Sequence, residues 1–208
     1  NPDALWFLGL ALAQAGRVDA ARPLFQQLKE RDPLAPLAHA SEAYTYQAEG
    51  RFELSTARYR LAFDMDPDDP FLRVLLAYAL VLEGSVEEAK ELFESVSSES
   101  PTNVVQWIGS LYRAALRGDH QTLRRIETAV FSVTARRIAV YSLWLAEIYA
   151  LLNEPNNAIL WLEQAVEKGQ VNYPFLSEFN PIFESLREDP RFVDLMARVK
   201  KEWEEFEV

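Results

Sequence analysis

Apolar positions recur along this chain at helical spacing, most clearly between Pro70 and Pro101. There Leu76, Ala77 and Leu80 share one face, Gly84 interrupts, and Ala89, Phe93 and Val96 form a second face before Pro101 closes the unit. The spacing predicts a helix, a turn and a second helix. Moving 34 residues upstream puts Ala43, Tyr46, Gly50, Ser55, Tyr59, Ala62 and Pro67 in the same places. A further step gives Gly9, Leu12, Gly16, Ala21, Phe25, Leu28 and Pro33. Three copies in one register predict a repeat architecture.

Each position asks for its residue type on physical grounds. Small residues on the first helix (Gly9, Ala43, Ala77) and the second (Ala21, Ser55, Ala89) let two antiparallel backbones approach, and the ring at Phe25, Tyr59 or Phe93 fills the space beside them. Gly16, Gly50 and Gly84 stand where the turn calls for positive φ. Proline then ends the second helix, because it cannot continue the hydrogen-bond ladder. In these residues the chain resembles the tetratricopeptide (TPR) repeat family, whose W-x2-L-G-x2-Y, A-x3-F and P positions recur every 34 residues. The first repeat matches through Leu8-Gly9, Leu12, Ala21, Phe25 and Pro33, with Leu5 in the Trp position. The resemblance implies an all-α superhelix, a TPR solenoid, that binds proteins and performs no chemistry.

On this reading the repeats span about residues 2–34, 35–69, 70–101, 102–135 and 138–169, within a single domain. The fourth is the weakest: Trp107, Ala114 and Gly118 keep their places, but Leu123 and Glu127 replace the small and aromatic residues of its second helix. No proline follows it, so an irregular boundary is expected near Val133 to Arg137. The fifth recovers the pattern one residue out of phase through Leu145, Ala146, Tyr149, Asn153, Ala158, Leu162 and Ala165. Asn153 replaces the turn glycine, as the residue that best tolerates the left-handed region. Periodicity stops at Gly169, and Tyr173 to Glu184 reads as a connection with one short helical turn. A final amphipathic helix from about Pro190, with Phe192, Leu195, Met196, Val199 and Trp203 on one side, is expected to cap the last repeat. Residues 180–192, NPIFESLREDPRF, resemble the ending of TPR regions in bacterial signalling proteins, where such regions follow kinase, cyclase or DNA-binding domains. That likeness implies a regulatory or scaffolding module of bacterial origin.

Composition narrows the partners. A net charge of -11 opposes nucleic acid or anionic lipid as the main partner. The absence of cysteine removes disulfides, thiol nucleophiles and Cys-type zinc sites, and leaves the redox compartment open. Uncharged apolar runs such as Ala4 to Gly16 and Val74 to Leu82 are too short to span a membrane. With no visible leader, a cytoplasmic location is the expectation. The chain opens inside a repeat, which suggests a piece of something longer.

For binding, one position of the first helices reads Leu10, Tyr44, Tyr78 and Tyr112, a ladder of rings facing the expected concave groove. Trp6, Phe71, Val74 and Ile108 would make that groove apolar, which points to a protein or peptide ligand. Two alternatives stay open: the rings pack against neighbouring repeats or the chain's own C-terminal segment, or the groove serves self-association. The Lys, Asn and Arg positions that let some TPR modules clamp a C-terminal carboxylate hold Trp6, Leu10, Ser41, Phe71 and Leu75, so that ligand class is set aside. The arginines Arg113, Arg117, Arg124, Arg125, Arg136 and Arg137 read as partners of acidic neighbours or as solvated charges rather than as a site for an acidic segment or phosphate. His39 and His120 lack ligand spacing, and no phosphate loop, nucleophile elbow or metal helix appears. No catalytic residue, metal or cofactor is therefore expected.

Overall fold

The helix pairs anticipated from the repeat stand in register in the computed structural model, which describes residues 2–126 and 135–206. They are α1 (Pro2–Gln14) with α2 (Val18–Arg31), α3 (Pro36–Ala48) with α4 (Phe52–Met65), and α5 (Pro70–Glu83) with α6 (Val86–Val96). Next come α7 (Val104–Leu116) with α8 (His120–Ile126), and α9 (Ala139–Leu151) with α10 (Pro155–Val166). A π-helical turn at Phe175–Phe179, a 3-10 helix at Pro181–Leu186 and α11 (Pro190–Glu205) complete an all-α array. Among the described residues there is no β-strand.

Local chemistry sets the boundaries. Proline occupies the first turn of α3, α5, α10 and α11, where its missing N–H costs nothing. The carboxylates of Asp69 and Asp189 accept from the first free amides of α5 and α11, and the Asn103 side chain does the same for α7. The turns fall at Gly16, Gly50, Gly84 and Gly118, all with positive φ, and at Asn153 with φ of 55°. Glu127, Val133 and Thr134 lie outside the described residues; Ala135 to Ile138 form the turn that enters α9.

Consecutive helices pack on one another from α1 to α8 and again from α9 to α11, and α1, α3, α5 and α7 also touch in succession along an inner layer that continues to α9. The small positions at Ala21, Ala43, Ser55, Ala77 and Ala89 are sealed, and the rings of Phe25, Tyr59 and Phe93 fill the space between helices. Burying such a ring stabilises the stack by roughly 1.5–3 kcal/mol. The Phe25 ring occupies the space a side chain on Gly9 would need, which is why that position is glycine.

The C-terminal region departs from a plain terminal cap. Helix α11 packs on α10 through its apolar stripe, as expected. It also reaches back to the beginning of the chain: Arg17 donates to the carbonyls of Trp203 and Phe206, and its guanidinium lies over the Trp203 ring. The connection before α11 holds two helical turns rather than one, and Phe175, Leu176, Ile182, Phe183 and Leu186 are buried in the main core. Those apolar residues follow no helical period because the segment threads between elements instead of lying on one.

A groove closed at one end and open at the other

Tyr44, Tyr78 and Tyr112 come from the same position of α3, α5 and α7, yet they do not form an open ladder. Tyr78 and Tyr112 are interior, with rings 5.9 Å apart, and Tyr112 stacks on Phe93 at 4.9 Å. Both hydroxyls donate to the carboxylate of Glu147 on α9, at 2.8 Å to Oε1 and 2.7 Å to Oε2. A third donor, the Asn180 side-chain amide, reaches Oε1 at 2.6 Å. Glu147 is wholly buried, and that burial raises its pKa to about 7 against the opposing pull of the three donors. Burial likewise holds both tyrosines well above their ordinary pKa. The network joins α5, α7, α9 and the C-terminal segment through buried hydrogen bonds to one carboxyl, charge-assisted where that carboxyl is ionised.

The C-terminal segment is fastened along the same side. The backbone amides of Val171 and Asn172 donate to the Gln14 carbonyl at 3.1 and 3.0 Å, and Asn172 Nδ2 donates to the Ala48 carbonyl at 2.9 Å. Two turn glycines are shaped by this return. Gly16 and Gly50 have φ of 75° and 73°, and a Cβ there would come within 2.5 Å of Trp203 Nε1 and Phe179 Cγ respectively. At these two turns glycine answers both a backbone and a packing demand.

The opposite end stays open. A cavity of about 250 Å³ lies between α1, α3, α5, α9 and the strand of chain around Gln170 to Phe175. Trp6 and Leu10 of α1, Tyr44 of α3, and Phe71 and Tyr78 of α5 form one side. Tyr141 and Trp144 of α9 and Phe175 form the other. Its rim is apolar and solvent-facing: Phe7 is 65% exposed, Phe71 37% and Ile138 40%. Tyr44 keeps part of its surface accessible, and burial pushes its hydroxyl up to about 12, with the Gln14 and Gln170 side chains beside it pulling the other way.

Of the residues anticipated for the groove, Trp6, Leu10, Tyr44, Phe71 and Tyr78 are thus brought to one cavity. Val74 and Ile108 are almost fully buried and, with Phe71, border a cleft of only about 10 Å³. Tyr112 lies in neither, because Glu147 and the C-terminal segment cover it. That corrects the expectation of an open aromatic ladder: Val74, Tyr78, Ile108 and Tyr112 are core, and only Tyr78 also shows a face to the cavity. Sequence reading passed over Glu147, Asn180, Trp144, Gln47 and Gln170. A charged residue amid the apolar VYSLWLAEIYALL run was a signal for Glu147; nothing local marked the others.

Most of the basic residues of the fourth repeat find partners. Arg113 and Arg117 reach Glu94, Arg113 and Arg125 reach Glu99, and Arg124 and His120 reach Glu154. Arg136 lies over the Trp161 ring at 5.0 Å. Among the described residues no group of three or more His, Cys, Asp or Glu converges as a metal site, and no helix is long and apolar enough to cross a membrane.

The architecture is that of a helical-repeat superhelix. A family model described as a tetratricopeptide repeat matches residues 1–36, the stretch holding α1 and α2. Tetratricopeptide repeats are non-catalytic scaffolds that mediate protein–protein interaction.

Proposed function

We propose that the chain acts as one repeat domain that captures a partner protein at the open end of its groove, by taking a bulky apolar side chain into the 250 Å³ cavity. The observation that carries this reading is the cluster of exposed large apolar residues, Phe7, Phe71 and Ile138, around the mouth of an aromatic-lined cavity. An apolar rim continuous with an apolar cavity suits a partner surface, since the rim adds contact area that a guest confined to the cavity would not use. The excess of acidic residues favours partners with basic flanks, chiefly through association rate. In this reading a long extended peptide has no continuous groove to follow, because Tyr78, Tyr112 and Glu147 seal the far end. The likeness of residues 180–192 to the ending of bacterial regulatory TPR regions supports a place in a larger cytoplasmic signalling or scaffolding protein.

Panning a random-peptide display library on the immobilised protein tests the docking site. Enriched peptides should lose binding to Leu10→Trp, whose indole fills the cavity, and keep binding to Tyr112→Phe at the sealed end. Enrichment of peptides indifferent to Leu10→Trp would contradict the assignment. Sedimentation of the free protein across concentration separates this from self-association, which would show as a concentration-dependent dimer lost in Leu10→Trp.

A further inference from the structure

The cavity carries more information than its apolar character. On the docking reading above, we infer that it recognises a neutral two-ring aromatic group with one N–H donor, which in a protein partner is the side chain of a tryptophan. Size comes first: a cavity of about 150 Å³ accepts a benzene ring, so one of about 250 Å³ has room for a fused pair of rings. The walls suit such a guest, because Trp6, Tyr44, Phe71, Tyr78, Trp144 and Phe175 offer ring faces and edges for stacked and edge-on contact.

Charge comes second. Every side chain lining the cavity is neutral, although the protein as a whole carries a charge of -11. An ionised guest would give up its hydration with no opposite charge to receive it. A neutral ring loses nothing of that kind.

The polar atoms in the wall then select among neutral rings. Asn172 is fully engaged, donating to the Ala48 carbonyl and accepting from the Phe175 amide. The Tyr78 hydroxyl is committed to Glu147. Three wall residues, each more than nine-tenths buried, are left with work undone: Gln47 Oε1 has no donor, Trp144 Nε1 has no acceptor, and Gln170 Nε2, although its amide stands beside the Tyr44 hydroxyl, makes no hydrogen bond of normal geometry. Buried polar groups of this kind are destabilising until a partner arrives. They differ in sense, one acceptor and two donors. An indole N–H answers the acceptor, and the carbonyl of the peptide unit next to it answers the donor on Gln170. A tryptophan residue brings both groups; free indole brings one.

Calorimetric titration of the whole protein with N-acetyl-tryptophanamide, its 1-methylindole analogue and indole tests this directly. N-acetyl-tryptophanamide should bind, the N-methylated analogue about fivefold more weakly, and indole also more weakly. Gln47→Leu should erase the difference between the first two, Gln170→Leu should erase the advantage over indole, and Leu10→Trp should abolish binding of all three. Circular dichroism confirms that each variant is folded, and the two glutamine variants serve as independent checks should either one misfold. Equal binding of the methylated analogue, or a preference for the unmethylated compound that survives Gln47→Leu, would overturn the hydrogen-bond assignment. Indole binding as tightly as N-acetyl-tryptophanamide would overturn the protein-borne source. If none of the three compounds binds while library peptides still require an open cavity, the indole assignment fails and the docking site stands; if those peptides are also indifferent to Leu10→Trp, both fail.

Discussion

Tyr44 and Tyr112 hold the same position in two repeats of one solenoid, and their fates differ. Tyr112 is sealed under a buried glutamate and the returning C-terminal segment. Tyr44 stands in the wall of an open cavity. The helices that carry them are built alike, so the difference comes from what lies across the groove. Opposite Tyr112 and Tyr78, α9 presents Glu147, and three donors converge on one carboxylate. Opposite Tyr44, the facing residues are Trp144, Tyr141 and the segment from Gln170, and their rings leave a gap. A repeat position therefore fixes where a side chain points, and the neighbour across the groove decides whether it is core or site.

The largest expected effect lies at the sealed end. Glu147→Ala removes the common acceptor of Tyr78, Tyr112 and Asn180 and leaves three buried donors unmatched, so it should lower unfolding stability by about 4 kcal/mol in urea titration. A loss below about 1 kcal/mol would mean that the network does not close the groove.

Next in size is the pH response of the same group. The carboxyl of Glu147 is raised from an ordinary 4.5 to about 7 by burial. Between those values the folded chain binds the proton more readily than the unfolded one, so stability contributed by this group is greatest below about pH 4.5. It declines as pH rises to about 7 and is level above, a fall of about 3 kcal/mol across that window. Glu147→Gln should flatten this slope relative to the wild type, measured by urea midpoints at several pH values. An unchanged slope would place the proton elsewhere.

The smallest pair of effects sharpens the comparison most. Tyr112→Phe deletes a buried donor to a carboxylate and should cost about 1.5–3 kcal/mol, whereas Tyr44→Phe at the open end should cost less than about 1 kcal/mol. Equal losses would erase the distinction between the two ends.

Much of the fold was legible because local chemistry carried it. The glycines at Gly16, Gly50, Gly84 and Gly118 mark turns wherever they stand, and Asn153 does so by the same backbone tolerance. The small and aromatic positions reveal themselves by recurring at one interval. The threaded segment from Gln170 to Leu186 carried no such signature, since its burial comes from elements far away in sequence rather than from its own periodicity. Half of the candidate site was legible for the same reason: Trp6, Leu10, Tyr44 and Phe71 are repeat positions. Gln47 and Gln170 belong to no motif, and only folding brings Asn180 and Glu147 to one point. The ladder reading failed at Tyr78 and Tyr112 because helical spacing gives direction and says nothing of what arrives from the other side.

The most direct measurement is a map of backbone amide shifts in the isotope-labelled protein as N-acetyl-tryptophanamide is added. The account predicts saturable changes confined to α1, α3, α5, the first half of α9 and residues 170–175, with the amides around Tyr112 still. Changes centred on α7 and the C-terminal half of α9, with α1 silent, would contradict it.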